Sequence, residues 1–572
     1  MKIEVNAPWR KYYYGVREHL EYPDYSMYDQ FREAALKYPK FIAFNYFGKK
    51  ASFKDVLNYV DSCAKALKSI GIDKKDVVTI CMPNTPEAII MFYAINKIGA
   101  ISNIIHPLSA ENEIKYALEL SKSKAILSID LAWEKVKNVI SKTNIKYSII
   151  ASVSASMPSV KGFGYYVAAG KNIKEPEWNK KVMNFKTFME LGNSYKEKIE
   201  EKFKGKDEAV ILYSGGTTGT SKGIVLTNLN FNALARQCYE ACICLTPGMN
   251  VLSIMPIFHG FGLGVCFHAP LSFGVTATIL PQFNAKTFDK LLKKYKPNII
   301  VGVPTLYEAL LGNKNLKNVD LSFIKCALSG GDVLTTASKQ KINDFFKEHN
   351  CDAGIREGYG LTECVAASCL TPYSISKKGS IGIPLPDMFY KIVKIGTEEE
   401  VPYGTDGEIV ISGPTVMKGY LNNKKETKAV LRKHEDGKLW LHTGDLGSMD
   451  KYGFVYFKQR IKRMIVSSGY NLYPARIENV IEELPFVLKV CVIGIPHPYK
   501  IEVAKAFVVL KEGYDANETL RSEIYNHCVK NLAKYSLPYE IEFRNELPKT
   551  KVNKIDFRKL QEEEISKKIE NK

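Results

Sequence analysis

The first third of the chain alternates between amphipathic segments and short apolar runs. Apolar residues recur with helical spacing over 53–67, and Ser52 with Asp55 forms a capping-box pattern at the start of this helix. Residues 77–82 and 100–105 are short apolar runs that predict buried strands. Such strand–helix–strand units predict a largely parallel sheet covered by helices on both faces.

One apolar stretch, residues 260–280, carries no formally charged side chain when His268 is neutral. Its length is about that needed to cross a bilayer. However, Pro270 and several glycines interrupt it, and its end, 275–280, is rich in β-branched residues. A buried helix followed by a buried strand fits this pattern better, so we expect no transmembrane segment.

The pattern changes twice in the second half of the chain. From about 372 to 457, turn residues come often and short strands lie between them, which predicts a small β-rich subdomain. After Arg460 the pattern of longer elements returns, and it predicts a compact α+β domain of roughly 110 residues. Its predicted helices are 475–484 and 520–532, and its predicted strands are 487–495 and 503–510.

Composition and charge are those of a globular protein with several cores: 572 residues, 45% hydrophobic and 25% charged. The formal net charge of +19 raises the question of nucleic-acid binding. The lysines are scattered in short clusters, without a long basic arm or a stripe interleaved with aromatic residues. We therefore expect a solvated surface that suits small anionic substrates, and no nucleic-acid partner.

Twelve cysteines occur in a chain whose first residues lack an apolar leader and a cleavage site. We therefore expect a reduced, cytoplasmic setting. Cys238, Cys242 and Cys244 form the closest cluster, but their spacing matches no common zinc pattern. Helix packing is the better interpretation.

The sharpest chemical signal is the glycine-, serine- and threonine-rich loop over 213–223, between predicted strands at 209–213 and 224–227. Glycines let backbone N–H groups turn onto a polyphosphate, and Lys222 adds a cation. A Walker A loop would need glycine immediately before the lysine and a helix after it. Here Ser221 precedes Lys222 and a strand follows, so the loop predicts a phosphate site of another type.

This loop resembles the signature of the adenylate-forming superfamily, which includes acyl-CoA synthetases, peptide-synthetase adenylation domains and luciferases. Further segments resemble motifs of that superfamily, in the same order, from about Tyr28 to Leu560. The resemblance implies an α/β fold. Its large N-terminal domain, 1–459, contains parallel αβα sheets and a small β-barrel-like subdomain. A hinge, 460–462, leads to a small mobile α+β domain, 463–572.

The resemblance assigns ATP contacts to most of the loop: Ser214, Gly215, Gly216, Thr217, Thr218, Gly219, Thr220 and Lys222. Residues 256–262 resemble the mouth of an acyl pocket, which implies acyl contacts for His259, Gly260 and Phe261 and a catalytic or gating role for His259. This segment has no acidic residue to pair with an α-ammonium group, so an amino-acid substrate is not expected.

The turn 329–332 resembles one that lies along adenine, with Gly330 beside the acyl chain and Gly331 and Asp332 in the ATP site. Residues 357–363, Glu-Gly-Tyr-Gly-Leu-Thr-Glu, resemble the motif in which the tyrosine stacks on adenine, the threonine contacts the α-phosphate and carboxylate, and the last glutamate holds Mg²⁺. The implied ATP-site residues are Glu357, Gly358, Tyr359, Gly360, Thr362 and Glu363. The resemblance also implies catalytic roles for Thr362 and Glu363. For Glu363 the chemistry agrees, because magnesium prefers a carboxylate together with phosphate oxygens.

Residues 440–445, Trp-Leu-His-Thr-Gly-Asp, resemble a ribose clasp. The resemblance implies that Asp445 accepts hydrogen bonds from the ribose, with Arg460 as a second contact and Phe457 also in the ATP site. Residues 459–462 resemble the superfamily's hinge, with Lys462 at the pivot. This segment departs from the superfamily motif at two positions: Gln459 stands where glycine is usual, and Arg463 stands where an acidic residue is usual.

Two further motifs lie near the end of the chain. Residues 466–474 resemble the segment that lines a thiol tunnel, which implies coenzyme A contacts for Ser468, Gly469 and Tyr470. Lys554 stands at the position of the terminal catalytic lysine, after Asn553 where glycine is usual. Asparagine tolerates a left-handed turn better than most residues.

Together these motifs imply an acid–thiol ligase. A carboxylate attacks the α-phosphorus of Mg-ATP to give acyl-AMP and pyrophosphate, and a thiol, that of coenzyme A, then attacks the acyl-AMP. The apolar segments 260–280 and 302–307 favour a fatty, aryl or alicyclic acid. ATP, Mg²⁺ and coenzyme A are the implied cofactors, and a homodimer stays open.

Two alternatives remain. The thiol could be the pantetheine of a separate carrier protein, since no carrier domain is expected after Lys572. More remotely, the chain could be a non-catalytic nucleotide-binding or nucleic-acid-binding protein. An acid-dependent ATP–pyrophosphate exchange assay discriminates the second alternative from a ligase.

Overall fold

A computed structural model describes residues 5–168, 170–199, 202–214, 221–242, 245–467, 470–497, 499–532, 534–550 and 555–570. Within these residues the α-helices are α1 (Met27–Lys37), α2 (Phe53–Ser69), α3 (Pro86–Lys97), α4 (Glu111–Ser121), α5 (Trp133–Ile140), α6 (Ser159–Ala168), α7 (Phe185–Ser194), α8 (Asn228–Cys242), α9 (Ala269–Ser272), α10 (Phe288–Tyr295), α11 (Pro304–Glu308), α12 (Thr336–Glu348), α13 (Lys424–Val430), α14 (Pro474–Glu482), α15 (Glu518–Asn531) and α16 (Phe557–Glu570).

The strands of the same residues are β1 (Ile42–Tyr46), β2 (Lys49–Ser52), β3 (Val77–Cys81), β4 (Ile101–Ile104), β5 (Ala125–Ile129), β6 (Tyr147–Ala151), β7 (Val182–Asn184), β8 (Glu208–Ser214), β9 (Lys222–Thr227), β10 (Asn250–Ser253), β11 (Thr276–Ile279), β12 (Ile299–Gly302), β13 (Cys326–Ser329), β14 (Ile355–Tyr359), β15 (Cys369–Leu370), β16 (Ile383–Pro384), β17 (Phe389–Val393), β18 (Gly407–Ser412), β19 (Gly419–Tyr420), β20 (Leu431–Lys433), β21 (Leu439–Met449), β22 (Val455–Arg460), β23 (Ile465–Ser467), β24 (Tyr470–Leu472), β25 (Val487–His497), β26 (Ile501–Leu510) and β27 (Glu540–Phe543).

Two large, mainly parallel sheets form the first part of the molecule. One has nine strands in the order β16-β15-β14-β13-β12-β10-β11-β1-β2, and the other has eight in the order β19-β9-β8-β4-β3-β5-β6-β7. A five-stranded antiparallel sheet follows, β17-β18-β21-β20 with β22 on β21. The last sheet is β24-β23-β26-β25 with β27 on β26. The predicted α/β class is confirmed, with a large N-terminal domain and a small C-terminal domain that has its own sheet.

Helix α2 shows how the local sequence produces these elements. The Ser52 side chain accepts from the backbone N–H of Asp55, whose carboxylate accepts in return from the backbone N–H of Ser52. Every apolar residue of the predicted stripe except Leu57 is fully buried. Each such large side chain contributes about 1.5–3 kcal/mol by burial.

The apolar stretch 260–280 is a π-helix (Phe261–His268) that continues into α9 and is followed by strand β11, as predicted. His268 is buried between Tyr93, whose hydroxyl lies 3.1 Å from Nδ1, and Asn232, whose Oδ1 lies 2.9 Å from Nε2. Burial lowers the pKa of His268 to about 3, so the ring is neutral. Among the helices of the described residues, none is long and apolar enough to cross a membrane.

The predicted cysteine packing also holds where the structure describes it. Cys238 and Cys242 are buried on helix α8, whereas Cys244 lies outside the described residues. The eleven cysteines that are described are all buried and free of disulfides.

Candidate active site

Four neighbouring parallel strands, β10, β12, β13 and β14, end at the same edge of the nine-stranded sheet. Gly302 pairs with Ser329, and Ser329 pairs with Glu357, so the segments that follow these strands lie side by side. The carboxyl edge of a parallel sheet is the usual place for a ligand. The predicted acyl segment, adenine turn and 357–363 motif therefore meet there.

Two predicted acyl-site residues come into contact at this edge. A Cβ atom placed on Gly330 would lie 3.5 Å from Cζ of Phe261 and 3.1 Å from the carbonyl oxygen of Gly358. Gly331, next along the turn, has a φ of +79°. Asp332 is exposed, and its Oδ1 accepts from the backbone N–H of Val333 at 2.9 Å.

The segment 365–366 passes directly against two predicted site glycines. A Cβ on Gly260 would lie 1.5 Å from the carbonyl oxygen of Val365, and one on Gly360 would lie 1.5 Å from that of Ala366. Any side chain at either glycine would therefore force the backbone apart. We call residues 365 and 366 the spacer segment, because it separates the acyl segment from the 357–363 motif.

Val365 itself holds a rare backbone conformation. It is fully buried, with φ +66° and ψ −61°, and it follows the 3₁₀ turn Thr362–Cys364. These angles are those of a classic γ-turn, which is strained for a β-branched residue. Strain of this kind persists where the surrounding structure over-determines it, and it clusters at functional sites.

His259 lies at the other side of the acyl segment. Its backbone N–H donates to the carbonyl oxygen of Pro256 at 3.1 Å, and its ring centroid lies 5.1 Å from that of Phe258. Asn84 fixes this turn, since its amide donates to the carbonyl of Met255 at 3.0 Å and its Oδ1 accepts from the N–H of Ile257 at 3.0 Å. Sequence analysis missed Asn84, because its partners are about 170 positions away.

The predicted ribose residues form a cluster with Tyr359 in which Asp445 is buried, Tyr359 is half-buried and the Arg460 side chain is exposed. The Tyr359 hydroxyl donates to Asp445 Oδ2 at 2.6 Å, and Arg460 Nη1 lies 3.0 Å from Asp445 Oδ1. Asp445 and Arg460 are paired residues of strands β21 and β22. Phe457, on the same strand as Arg460, places its ring 5.8 Å from that of Tyr359. We call Tyr359, Asp445 and Arg460 the ribose cluster.

The electrostatics of this cluster follow from the desolvation of Asp445 and Tyr359. Desolvation raises the pKa of Asp445 to about 6, although Arg460 and the Tyr359 hydroxyl oppose the shift. Burial and the neighbouring Asp445 carboxylate raise the pKa of Tyr359, so its hydroxyl stays a donor. The Asp445 carboxylate, which now accepts from Tyr359 and pairs with Arg460, could also accept hydrogen bonds from two vicinal hydroxyl groups.

A second carboxylate holds the turn before Asp445. Glu408 accepts from the backbone N–H of Gly444 at 3.0 Å through Oε1, and its Oε2 lies 2.9 Å from Nδ1 of His442. His442 Nε2 in turn lies 3.0 Å from Nε2 of His434. All three side chains are buried. This relay fixes the turn that carries Asp445, and sequence analysis missed Glu408 and His434.

The predicted magnesium ligand is linked to the phosphate-loop lysine. The Tyr420 hydroxyl donates to Glu363 Oε1 at 3.0 Å, and Lys222 Nζ lies 4.9 Å from the Tyr420 ring centroid. Lys222 also forms an ion pair with Glu426, and this contact lowers the pKa of the Glu426 carboxyl. Tyr420 reaches this position because β19 pairs with β9. Sequence analysis missed Tyr420 and Glu426.

Glu357, which the resemblance assigns to the ATP site, forms an ion pair. Its carboxylate pairs with Lys339 at 2.8 Å. Burial raises the pKa of Glu357, and Lys339 opposes that shift.

Thr362 is half-buried in the 3₁₀ turn, which lies against strands β8 and β9. The two large sheets therefore meet at this turn.

The two residues that depart from the superfamily's hinge motif, Arg463 and Gln459, have different surroundings. Arg463 Nη2 donates to Glu478 Oε1 at 2.6 Å and to the carbonyl of Val492 at 3.1 Å, so its charge is satisfied within the small domain. Gln459 is buried, and neither of its amide atoms has a hydrogen-bond partner among the described residues. Lys462 is exposed in the 3₁₀ turn Ile461–Arg463.

Several predicted site residues cannot be placed. Outside the described residues lie Gly215, Gly216, Thr217, Thr218, Gly219, Thr220, Ser468, Gly469 and Lys554. Ser214 ends strand β8 and Tyr470 begins strand β24. In the part of the chain that the structure describes, no three His, Cys, Asp or Glu side chains form a metal-binding group.

Comparison with known proteins identifies similar sequences over nearly the whole chain. The family model described as AMP-binding enzyme matches residues 31–421, and the AMP-binding enzyme C-terminal domain matches 476–554. The chain is 34% identical to a long-chain-fatty-acid–CoA ligase of Bacillus subtilis, over 98% of this chain and 99% of that protein. It is 31% identical to a probable 4-coumarate–CoA ligase of Dictyostelium discoideum, over 85% of each.

Solved structures share the fold. ATP-bound MatB from Rhodopseudomonas palustris superposes with a TM-score of 0.81 at 23% identity, covering 94% of this chain and 98% of that chain. A benzoate CoA ligase from Burkholderia xenovorans superposes with a TM-score of 0.78 at 21% identity, covering 94% of this chain and all of that chain, 100%.

Proposed function

The chain belongs to the family of AMP-binding enzymes, and from this premise we propose that it activates a long-chain fatty acid with ATP and transfers the acyl group to coenzyme A. The acid would attack the α-phosphorus of ATP, which forms acyl-AMP and releases pyrophosphate. The thiol of coenzyme A would then attack the acyl carbonyl, which forms the thioester and releases AMP.

The ribose cluster is the observation that carries this proposal. A buried carboxylate, flanked by a guanidinium and a tyrosine hydroxyl, lies next to the edge where the acyl segment ends. When a ribose binds, its two hydroxyl groups would replace the Tyr359 hydroxyl as hydrogen-bond donors to Asp445. We propose that Tyr359 then presents its ring to the adenine, together with Phe457, Gly331, Asp332, Glu357, Gly358 and Gly360.

Phosphate binding would require a change of partner at Lys222. Its ammonium now pairs with Glu426, and an incoming triphosphate would compete for it with a larger negative charge. We propose that the loop residues from Ser214 to Thr220 donate to the same phosphates. Thr362 would donate to the α-phosphate, because its turn lies against the strands that flank the loop.

The donor set around Glu363 fits magnesium. Its Oε1 accepts from Tyr420, and no hydrogen bond to its Oε2 occurs among the described residues. Carboxylate and phosphate oxygens are ligands that Mg²⁺ prefers. Bound there, the ion would supply positive charge beside the phosphates. Lys554 would add a second cation at the reacting carboxylate, as the resemblance implies.

The choice of a fatty acid rests on the apolar walls and on the relatives. Phe261 is half-buried at the acyl edge, and the apolar side chains that follow it in the π-helix are buried. The match to the Bacillus subtilis protein named long-chain-fatty-acid–CoA ligase covers nearly the full length of that protein. We propose contacts to the acyl chain from His259, Gly260, Phe261 and Gly330. After rotation about Lys462, Ser468, Gly469 and Tyr470 would admit the thiol.

An ATP–pyrophosphate exchange assay with separate acids tests the first half-reaction. We expect palmitate to support faster exchange than benzoate, 4-coumarate or glycine. Faster exchange with 4-coumarate would replace the fatty-acid proposal by an aryl one, and no acid-dependent exchange at all would refute the ligase. Coenzyme A and a holo-carrier protein, offered in turn to preformed acyl-AMP, identify the thiol acceptor. Faster transfer to the carrier would overturn the role of coenzyme A.

A further inference from the structure

Helix α6 is an exception in the fold, because it exposes its apolar side chains. It lies in the connection between β6 and β7, which are parallel neighbours at one edge of the eight-stranded sheet. A helix in such a connection normally buries an apolar face against the sheet. None of the residues of α6 is buried. Of its apolar side chains, Tyr165 is half-buried and packs against the main core, whereas Val160, Phe163, Tyr166 and Val167 are exposed.

The outward side of α6 is strongly apolar. The exposed fractions are 85% for Val160, 70% for Phe163, 58% for Tyr166 and 48% for Val167. Val160, Phe163 and Val167 stand at helical spacing on one face. Tyr165 lies on the side of the helix that faces the protein, and it is half-buried. The packing of that side sets the orientation of the helix. We call Val160, Phe163, Tyr166 and Val167 the α6 face.

The chain on both sides of α6 is rich in lysine. From residue 135 to residue 181 it has nine lysines and two acidic residues, Glu175 and Glu177. Lys161 on α6 donates to the carbonyl of Phe47, and it has Lys294 as a close neighbour. Lys171 and Lys174 follow the helix and are exposed. Asp130 is the acidic neighbour of Tyr165, on the half-buried side of α6.

We propose that the α6 face is a docking surface for an anionic lipid bilayer. Apolar side chains on one side of a helix, with lysines around them, are the pattern of helices that lie in the membrane interface. Each lysine near an anionic surface contributes to binding through the negative surface potential. Docking by this face does not depend on the proposed catalytic function, and it needs no spanning helix.

Charge decides against a second copy of the chain as the occupant. A two-fold symmetric contact through the α6 face would bring two copies of the same lysine-rich surface together. Like charges brought together in this way are repelled, whereas an anionic headgroup layer attracts both the lysines and, below them, the apolar side chains. A bilayer therefore satisfies both features of the patch.

The test is co-sedimentation of the full chain with vesicles of phosphatidylcholine, with and without one-third phosphatidylglycerol. We expect binding to the anionic vesicles that weakens with salt. The variant Phe163→Ser/Val167→Ser should bind at least tenfold more weakly, and so should Lys171→Glu/Lys174→Glu. The matched control is Leu488→Ser/Ile565→Ser, which removes two exposed apolar side chains of the small domain and should bind as the wild type does.

A second measurement reports the depth of insertion. A polarity-sensitive dye on Phe163→Cys should shift to the blue with anionic vesicles, while the same dye on Leu488→Cys should not. The eleven described native cysteines are buried, which favours labelling at the new thiol. Equal vesicle binding by the wild type and Phe163→Ser/Val167→Ser, or no dye shift at position 163, would overturn the proposal. A dimer that dissociates in the same variant, without vesicle binding, would also overturn it and assign the face to a second copy.

Discussion

Tyr359 and Asp445 are 86 positions apart in sequence, yet the tyrosine hydroxyl donates to the carboxylate across 2.6 Å. This hydrogen bond joins the end of β14 in the nine-stranded sheet to β21 in the antiparallel sheet. It also occupies a carboxylate oxygen that the proposed ribose would use. Nucleotide binding should therefore rearrange a contact that already exists.

Replacing Asp445 by asparagine should raise the KM for ATP at least tenfold, since a charge-assisted hydrogen bond contributes about 1.5–3 kcal/mol. The amide keeps the shape of the side chain and leaves Arg460 without its carboxylate partner. Initial-rate kinetics with varied ATP measure the effect. Tyr359→Phe is the matched control: it deletes the donor without removing the acceptor, so its KM should change less. An unchanged KM for ATP in the asparagine variant would remove Asp445 from the nucleotide site.

The KM for ATP should also rise as the pH falls through about 6, the pKa to which burial raises Asp445. Below that pH the carboxyl is protonated and no longer offers a charged acceptor. The stability contribution has the opposite sign: this group favours folding below its ordinary pKa of 3.8, and that contribution is lost as pH rises through about 6. Its loss amounts to roughly 3 kcal/mol at most.

Paired pH series separate these effects. The asparagine variant should show no comparable pH dependence of the KM for ATP near pH 6. The difference in Tm between the variant and the wild type should increase in favour of the variant from pH 4 to pH 7. A parallel pH dependence of KM in both proteins would assign the titration to another group.

Glu426→Gln should lower the KM for ATP by a factor of about two to five, because it releases Lys222 from an ion pair of at most about 1 kcal/mol. Lys222→Ala should raise the same KM. Glu208→Gln breaks the ion pair with Lys418, which is also at the surface, and serves as the control without effect. A higher KM in Glu426→Gln would mean that the pair itself positions the loop.

Gly260→Ala should abolish activity and lower the Tm, because its Cβ would lie 1.5 Å from the Val365 carbonyl oxygen. We expect a loss of several kcal/mol in the free energy of unfolding, as for other overpacked sites. Thermal unfolding and pyrophosphate exchange measure it. Gly164→Ala, on the outside of α6 with nothing within 4 Å of the new methyl group, should be neutral or slightly stabilising. An active, equally stable Gly260→Ala variant would show that the spacer segment yields.

Lys554→Ala should abolish acid-dependent pyrophosphate exchange yet retain thioester formation from supplied acyl-AMP. The reason is that its charge is needed only where two anions meet in the first half-reaction. Single-turnover assays of the two half-reactions measure this separation. Equal loss of both would contradict the role proposed for Lys554.

Local patterns predicted most of the secondary structure, because capping boxes, glycine ends and apolar runs act within a few residues. The strand at 209–213 is observed as β8, and the helix at 520–532 as α15. The resemblance assigned the acyl segment, the adenine turn and the 357–363 motif to one site, and these segments follow neighbouring strands of the nine-stranded sheet. Contacts such as Tyr420 with Glu363 or His434 with His442 were not predictable, since nothing in the sequence beside either partner marks its pairing.

The exposed face of α6 was hidden from sequence for a different reason. Apolar residues at helical spacing predict an apolar helix face, but they do not show whether the protein's own core or a partner covers that face. In α2 the same kind of spacing leads to the interior, whereas in α6 it leads to the surface. The two cases differ in the observed burial of their side chains, and the sheet topology around α6 would itself have predicted a buried face.

The spacer segment has a consequence for how the substrate range of this protein can change over evolution. Its carbonyl groups lie against Gly260 on the acyl side and Gly360 on the nucleotide side, and only Cys364 separates it from Glu363. A mutation that reshapes the acyl wall at Gly260 therefore displaces the carboxylate proposed for magnesium as well. New acids should be accommodated by changes at wall positions that do not contact residues 365 and 366; Gly264 of the π-helix is not one of these, since a Cβ there would lie 3.1 Å from Cγ1 of Val365.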